Sequence, residues 1–143
     1  MRRIILIASG LAVLAQPAWA EIGRVKRIMG VATVERGSAK LKPAPGFQLQ
    51  PGDTLVTGKD GQMSLSFIDD TRFSVGPNSR ISVDQFDYNR TTQAGSFVTR
   101  VNRGSLAVVS GQIAKSKQDA MKVRTPTSLL GVRGTRFIVE VPK

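Results

Sequence analysis

From Met63 onward the chain alternates apolar and polar residues in short runs. Met63, Leu65 and Phe67 are separated by Ser64 and Ser66, Phe73 and Val75 follow, and Ile81 and Val83 flank Ser82 with Phe86 beyond. Further runs lie at Phe97–Val101, Leu106–Val109 and Met121–Val123. The last run sets Phe137, Val139 and Val141 on one face against Arg136, Ile138 and Glu140 on the other. A period of two sends successive side chains to opposite faces of a pleated strand, so these runs predict strands with one buried face. After residue 20 no segment carries a convincing amphipathic-helix pattern.

Turn residues punctuate the runs: Pro51-Gly52-Asp53, Lys59-Asp60-Gly61, Asp69-Asp70-Thr71, Gly76-Pro77-Asn78-Ser79, Asn102-Arg103-Gly104 and Ser110-Gly111. Glycine admits positive φ, proline fixes φ, and Asp or Asn side chains bond back to the local backbone, so each cluster predicts a corner. At Asp69-Asp70 both carboxylates are expected in water. Leu41–Gln50 and Tyr88–Gly95 look less regular, but neither is long enough to link two domains. MSLSFIDDTRFSV, FVTRVNRGSLAVV and MKVRTPTSLLGV each read as run, turn, run. The expected fold is a single all-β domain of short strands. Spacing alone fits both a β-solenoid-like stack of coils and a two-sheet β-sandwich.

The first twenty residues differ in kind. Arg2 and Arg3 precede an apolar stretch from Ile4 to Ala15, and Ala18-Trp19-Ala20 gives a small-x-small cleavage site. This reads as a signal peptide over residues 1–20, leaving a mature domain over 21–143. A retained anchor is the alternative, but the apolar run falls short of the ~20 residues that span a bilayer. The expected location is periplasmic or secreted.

Charge adds an uneven distribution. The net charge is +11, and Thr91–Lys143 holds nine Lys or Arg against two acids, whereas Pro51–Arg90 holds four against six. In an exported protein a basic surface points away from nucleic acid and toward anionic envelope lipid, polysaccharide or an acidic protein. An ordinary solvated basic surface is the plain alternative.

Catalysis has few candidate groups. The chain has no histidine and no cysteine, which removes the commonest acid–base group and thiol nucleophiles. Adjacent carboxylates at Asp69-Asp70 suit a turn better than a glycosidic bond. Asp53, Asp60, Asp69, Asp70 and Asp84 lack the compact spacing of a calcium loop. We therefore expect no enzyme activity, no metal and no cofactor.

Read in order, Gly30-Val31-Ala32, LQPGDTLVTGKDGQMSLSFIDDTRFSVGPNSRISV, GSLAVVSG and VRTPTSLLGVRGTRF closely resemble the FecR domain family, over about Ile28–Val141. The resemblance implies an all-β, short β-solenoid-like fold. Similar domains form the periplasmic part of iron-citrate-type sensor regulators and also occur in exported proteins. The family motif corresponds here to Gly52, Asp53, Gly61, Gly104, Thr125, Pro126, Gly131, Gly134, Thr135 and Phe137, as structural positions. Full-length regulators carry a cytoplasmic sigma-factor-binding segment and a membrane span. Here a leader stands in their place, which speaks against direct sigma-factor antagonism.

Two interaction features remain. Lys122, Arg124, Arg133 and Arg136 are candidate contacts for an anion or a partner, since arginine forks suit carboxylate and phosphate; they also suit plain solvent exposure. The strand at Phe137–Val141 is a candidate edge for accepting a partner strand, unless Arg136, Glu140 and Lys143 keep it solitary. The expected function is an exported, non-catalytic protein-binding or scaffolding module in envelope sensing. The alternative is an envelope polysaccharide or anionic-polymer binder.

Overall fold

A computed structural model describes residues 20–134 and 136–142; residues 1–19, Thr135 and Lys143 lie outside the described residues, and with them all but Ala20 of the expected signal peptide over residues 1–20. Among the described residues there are twelve strands and one short helix. They run β1 Gly23–Met29, β2 Ala32–Arg36, β3 Ala39–Leu41, β4 Gln48–Leu49, β5 Thr54–Thr57, β6 Gln62–Phe67, β7 Arg72–Val75, β8 Arg80–Tyr88, β9 Gly95–Val109, α1 Gln112–Ser116, β10 Met121–Arg124, β11 Leu129–Val132 and β12 Arg136–Val141. The all-β expectation holds.

The strands form one curled sheet in the order β3-β2-β5-β8-β9-β7-β6-β1-β4, with β10, β11 and β12 attached off this path. β9 is the axis of the curl. Its first half pairs with β8 and β10, and its second half, from Gly104, pairs with β7 and β12. The sequence reading places a turn at Asn102-Arg103-Gly104. The structure instead carries the strand through, because a register shift beside Arg80 and the positive φ of Gly104 (+88°) bend the backbone without ending it. All ladders are antiparallel, as hairpin-linked strands require, except β9–β10, which has the parallel relation of successive coils.

The concave face holds the core. Met63, Leu65 and Phe67 of β6, Phe73 and Val75 of β7, Ile81, Val83 and Phe86 of β8, and Leu106 and Val108 of β9 are all buried, so the period of two is borne out strand by strand. Phe67 meets Phe73 and Phe97 edge-on at 4.8 Å between ring centroids, and Phe86 meets Phe97 in the same way. Four neighbouring strands are tied by this cluster, each ring contributing roughly 2 kcal/mol by burial.

Two corners hold buried carboxylates. The Asp69-Asp70 corner corrects the sequence reading: Asp70 is exposed in the left-handed region (φ 71°), but Asp69 is completely buried. The corner needs an acceptor for inward-facing backbone, and Asp69 supplies it to α1, a helix of five residues that the sequence pattern does not reveal. At the other corner, Gly52 (φ +88°) takes the left-handed position after Pro51, and Asp53 N–H donates to Gln50 O at 3.2 Å. The buried Asp53 carboxylate then accepts two 2.8 Å hydrogen bonds from the Arg36 fork, and the Arg36 guanidinium lies 5.4 Å from the Phe47 ring centroid.

Removing one member of a buried pair leaves the other charge without compensation, although Arg36 is partly exposed and water offsets some of the loss. Arg36→Ala is expected to lower stability by about 2 kcal/mol. Arg36→Lys is expected to recover only part of that, because lysine cannot fork. Urea denaturation of the three proteins checks this; an Arg36→Ala midpoint equal to that of the unaltered chain would remove the pair from the stabilising set.

Candidate functional site

The carboxyl-terminal third builds the site. In β10, Met121 and Val123 are buried while Lys122 and Arg124 alternate to the outer face. Pro126 takes the chain out of the strand, and Thr125 N–H donates to Ser128 O at 2.9 Å across the turn. β11 then returns antiparallel, with Leu130 opposite Val123 and Val132 opposite Met121. Cross-strand partners share a face, so Leu130 points to the core side of the sheet. It is nevertheless 41% exposed.

β12 pairs with β9 from Arg136 opposite Val109 to Val141 opposite Gly104, and among the described residues it pairs with no other strand. Val139 is buried, Phe137 and Val141 are half-buried, and Ile138 on the opposite face is 69% exposed. A groove of about 520 Å³ runs beside β12, between Leu130 and the Thr125–Ser128 turn on one side and Ile138 to Pro142 on the other. A second groove, about 630 Å³, lies on the outer face between Arg72 and Arg136 over Ser74, Ala107 and Val109.

The four basic candidates do not come together as one patch. Lys122 and Arg124 face outward on the limb built on β8 and β10, with Arg124 beside Arg100 in the parallel ladder. Arg100 is paired with Asp84 at 3.1 Å. Arg133 is exposed in the connection from β11 to β12. Arg136 faces outward on the other limb, where Val109 separates it from Arg72. Arg72 is the residue that the sequence reading missed. Only strand register brings it to Arg136, and no local spacing reports that.

Three of the five carboxylates weighed for metal have structural employment. Asp53 meets Arg36, Asp84 meets Arg100 and Ser82, and Asp69 accepts from Thr71 and Ile113. Among the described residues no group of three or more His, Cys, Asp or Glu is placed to hold a metal ion. On β2, the Arg80 hydrogen bond holds the Glu35 carboxyl below its ordinary value.

A family model described as FecR protein matches residues 53–143. The chain belongs to the FecR family. Membership implies a role in regulating signalling at the cell envelope. Neither the curated proteins nor the solved structures gave a match. Among the described residues no helix is long and apolar enough to cross a membrane.

Several of the positions that carry the resemblance occupy corners and close approaches in this domain. A Cβ at Gly61 would stand 2.2 Å from Val31 O, so glycine is what lets the β5–β6 corner touch the β1–β2 corner. Gly104 sits at the bend of β9, and Gly131 and Gly134 flank the exposed Arg133 connection. Thr125 and Pro126 form one wall of the groove beside β12, and Phe137 lines the neighbouring one.

Proposed function

We propose that this chain is an exported, non-catalytic module that binds a protein partner in envelope signalling, and that the partner docks an extended strand beside β12. The observation that carries the reading is a β12 edge that pairs with no second strand among the described residues, with an adjoining groove and a leucine left 41% exposed on the core side. A strand added there gains main-chain hydrogen bonds from β12 and covers Leu130, the two contributions that strand addition uses. The absence of histidine and cysteine and the engagement of the buried carboxylates in structural bonds support a binding role over a catalytic one.

Site-specific photo-crosslinking in the producing cell tests the proposal. A crosslinker at Leu130 is expected to trap a discrete envelope protein, while one at Lys40 on the distant edge strand β3 gives none. Leu130→Lys, with an unchanged thermal melt to show that it folds, is expected to reduce co-purification of that protein at least tenfold. Equal trapping from both positions, or full recovery by Leu130→Lys, would overturn it.

A further inference from the structure

We infer that the β1–β2 corner, with Met29 and Val31 at its tip and Lys40 and Lys42 beside it, docks on the surface of an anionic phospholipid bilayer. This inference does not rest on the strand-docking reading.

Most large apolar side chains of the domain are buried, yet Met29 is 49% exposed and Val31 is 70% exposed, two residues apart on either side of Gly30. The backbone that displays them is fixed. Val31 O accepts from Gly58 N at 2.9 Å, so the β5–β6 corner holds the β1–β2 corner from behind. The two corners interlock at glycines: Gly30 has positive φ (+63°), and a Cβ there would stand 2.3 Å from Asp60 O. The tip is therefore preorganised, and little conformational freedom is lost when it meets a partner.

Charge selects the partner. A recess of about 450 Å³ opens under the corner, apolar at Ile28, Val31, Leu41 and Pro43 and bordered by Lys40 and Lys42. Both lysines are exposed, as is Lys59 on the interlocked corner. The acids near them are few: Glu35 lies opposite Lys40 but is held by Arg80 at 2.6 Å, and Asp60 sits beside Lys59. Apolar tips ringed by lysine suit an anionic bilayer, whose headgroups attract the ammonium groups while the tips enter the interface and the lysine stems lie along it. A stable protein interface covers roughly 1,600 Å², whereas a bilayer accepts whatever depth a small tip can reach. Strand addition is disfavoured here, because β3 is three residues long, carries Lys40 and is followed by Pro43.

Co-sedimentation of the purified protein with vesicles tests the inference. Vesicles of phosphatidylglycerol and phosphatidylcholine in equal parts are expected to bind it, more weakly as salt rises, and vesicles of phosphatidylcholine alone to bind it far less. Val31→Ser and Met29→Gln leave the charge unchanged and are each expected to weaken binding about tenfold. Lys40→Gln and Lys42→Gln should each weaken it about fivefold. Ile138→Ser, which removes an equally exposed apolar side chain elsewhere, should lose nothing. Thermal melts identify any variant that fails to fold, and a second measurement leaves the tip's apolar surface in place. The chain has no cysteine, so Val31→Cys takes a single environment-sensitive dye, whose emission is expected to shift to the blue on anionic vesicles. Failure to bind anionic vesicles at low salt overturns the inference. So does a loss with Val31→Ser no larger than with Ile138→Ser, which marks adsorption by net charge alone, and so does a dye that stays in water on bound protein.

Discussion

Replacing Asp69 with alanine is expected to lower the free energy of unfolding by about 4 kcal/mol, read as a fall in the urea midpoint. The side chain is fully buried, and its two oxygens accept from Thr71 N at 3.1 Å, Thr71 Oγ1 at 2.8 Å and Ile113 N at 3.2 Å. Its carbonyl oxygen also accepts from Gln112 N at 2.7 Å. The N-cap position of α1 is Gly111, which supplies no side-chain cap. Asp69 is thus the cap, supplied from a distant corner, and its charge also suits the positive end of the helix. Alanine leaves the buried Thr71 and Ile113 N–H donors without their acceptor. Asp69→Asn keeps the shape and one acceptor, so about half the loss is expected. Asp70→Asn, at the exposed left-handed position, should be nearly neutral. An Asp69→Ala midpoint within error of Asp70→Asn would refute this account of the corner.

Gly104→Ala is the second large effect, about 3 kcal/mol. Two costs combine. The positive φ disfavours any Cβ by about 1 kcal/mol, and the added atom would sit 2.1 Å from Ser79 Oγ and 2.5 Å from Ser79 Cα. Ser79 cannot yield easily, since its hydroxyl donates toward Pro77 O and accepts from Ser105 N. Relief requires β8 and β9 to separate, an overpacking cost of about 1–3 kcal/mol. Gly37→Ala separates the two contributions. Gly37 also has positive φ (+60°), but its Cβ would meet nothing within 4 Å, so about 1 kcal/mol is expected there. Equal losses at the two glycines would mean that the approach of Ser79 costs nothing.

The strands were legible because the pleat forces alternation. Met63-Leu65-Phe67 and Ile81-Val83 could bury one face in no other regular way. Local residues do not distinguish a corner that ends a strand from a bend that carries it on, which is why Asn102-Arg103-Gly104 reads as a turn. α1 was invisible for a different reason. Five residues are too few to show a helical period, and the group that fixes its start lies on another segment. The basic candidates were legible as charges but not as a surface. Lys122 and Arg136 are close in sequence yet lie on opposite limbs, whereas Arg72 and Arg136, far apart in sequence, share one groove.

The continuity of β9 bears on how the molecule comes apart. Because one uninterrupted segment supplies ladder partners to both limbs, neither limb can melt without stripping hydrogen bonds from the other, and loosening at one end raises the free energy of the whole. The domain should therefore open as a single cooperative unit, and a proteolytic nick within that shared segment would uncouple everything it joins.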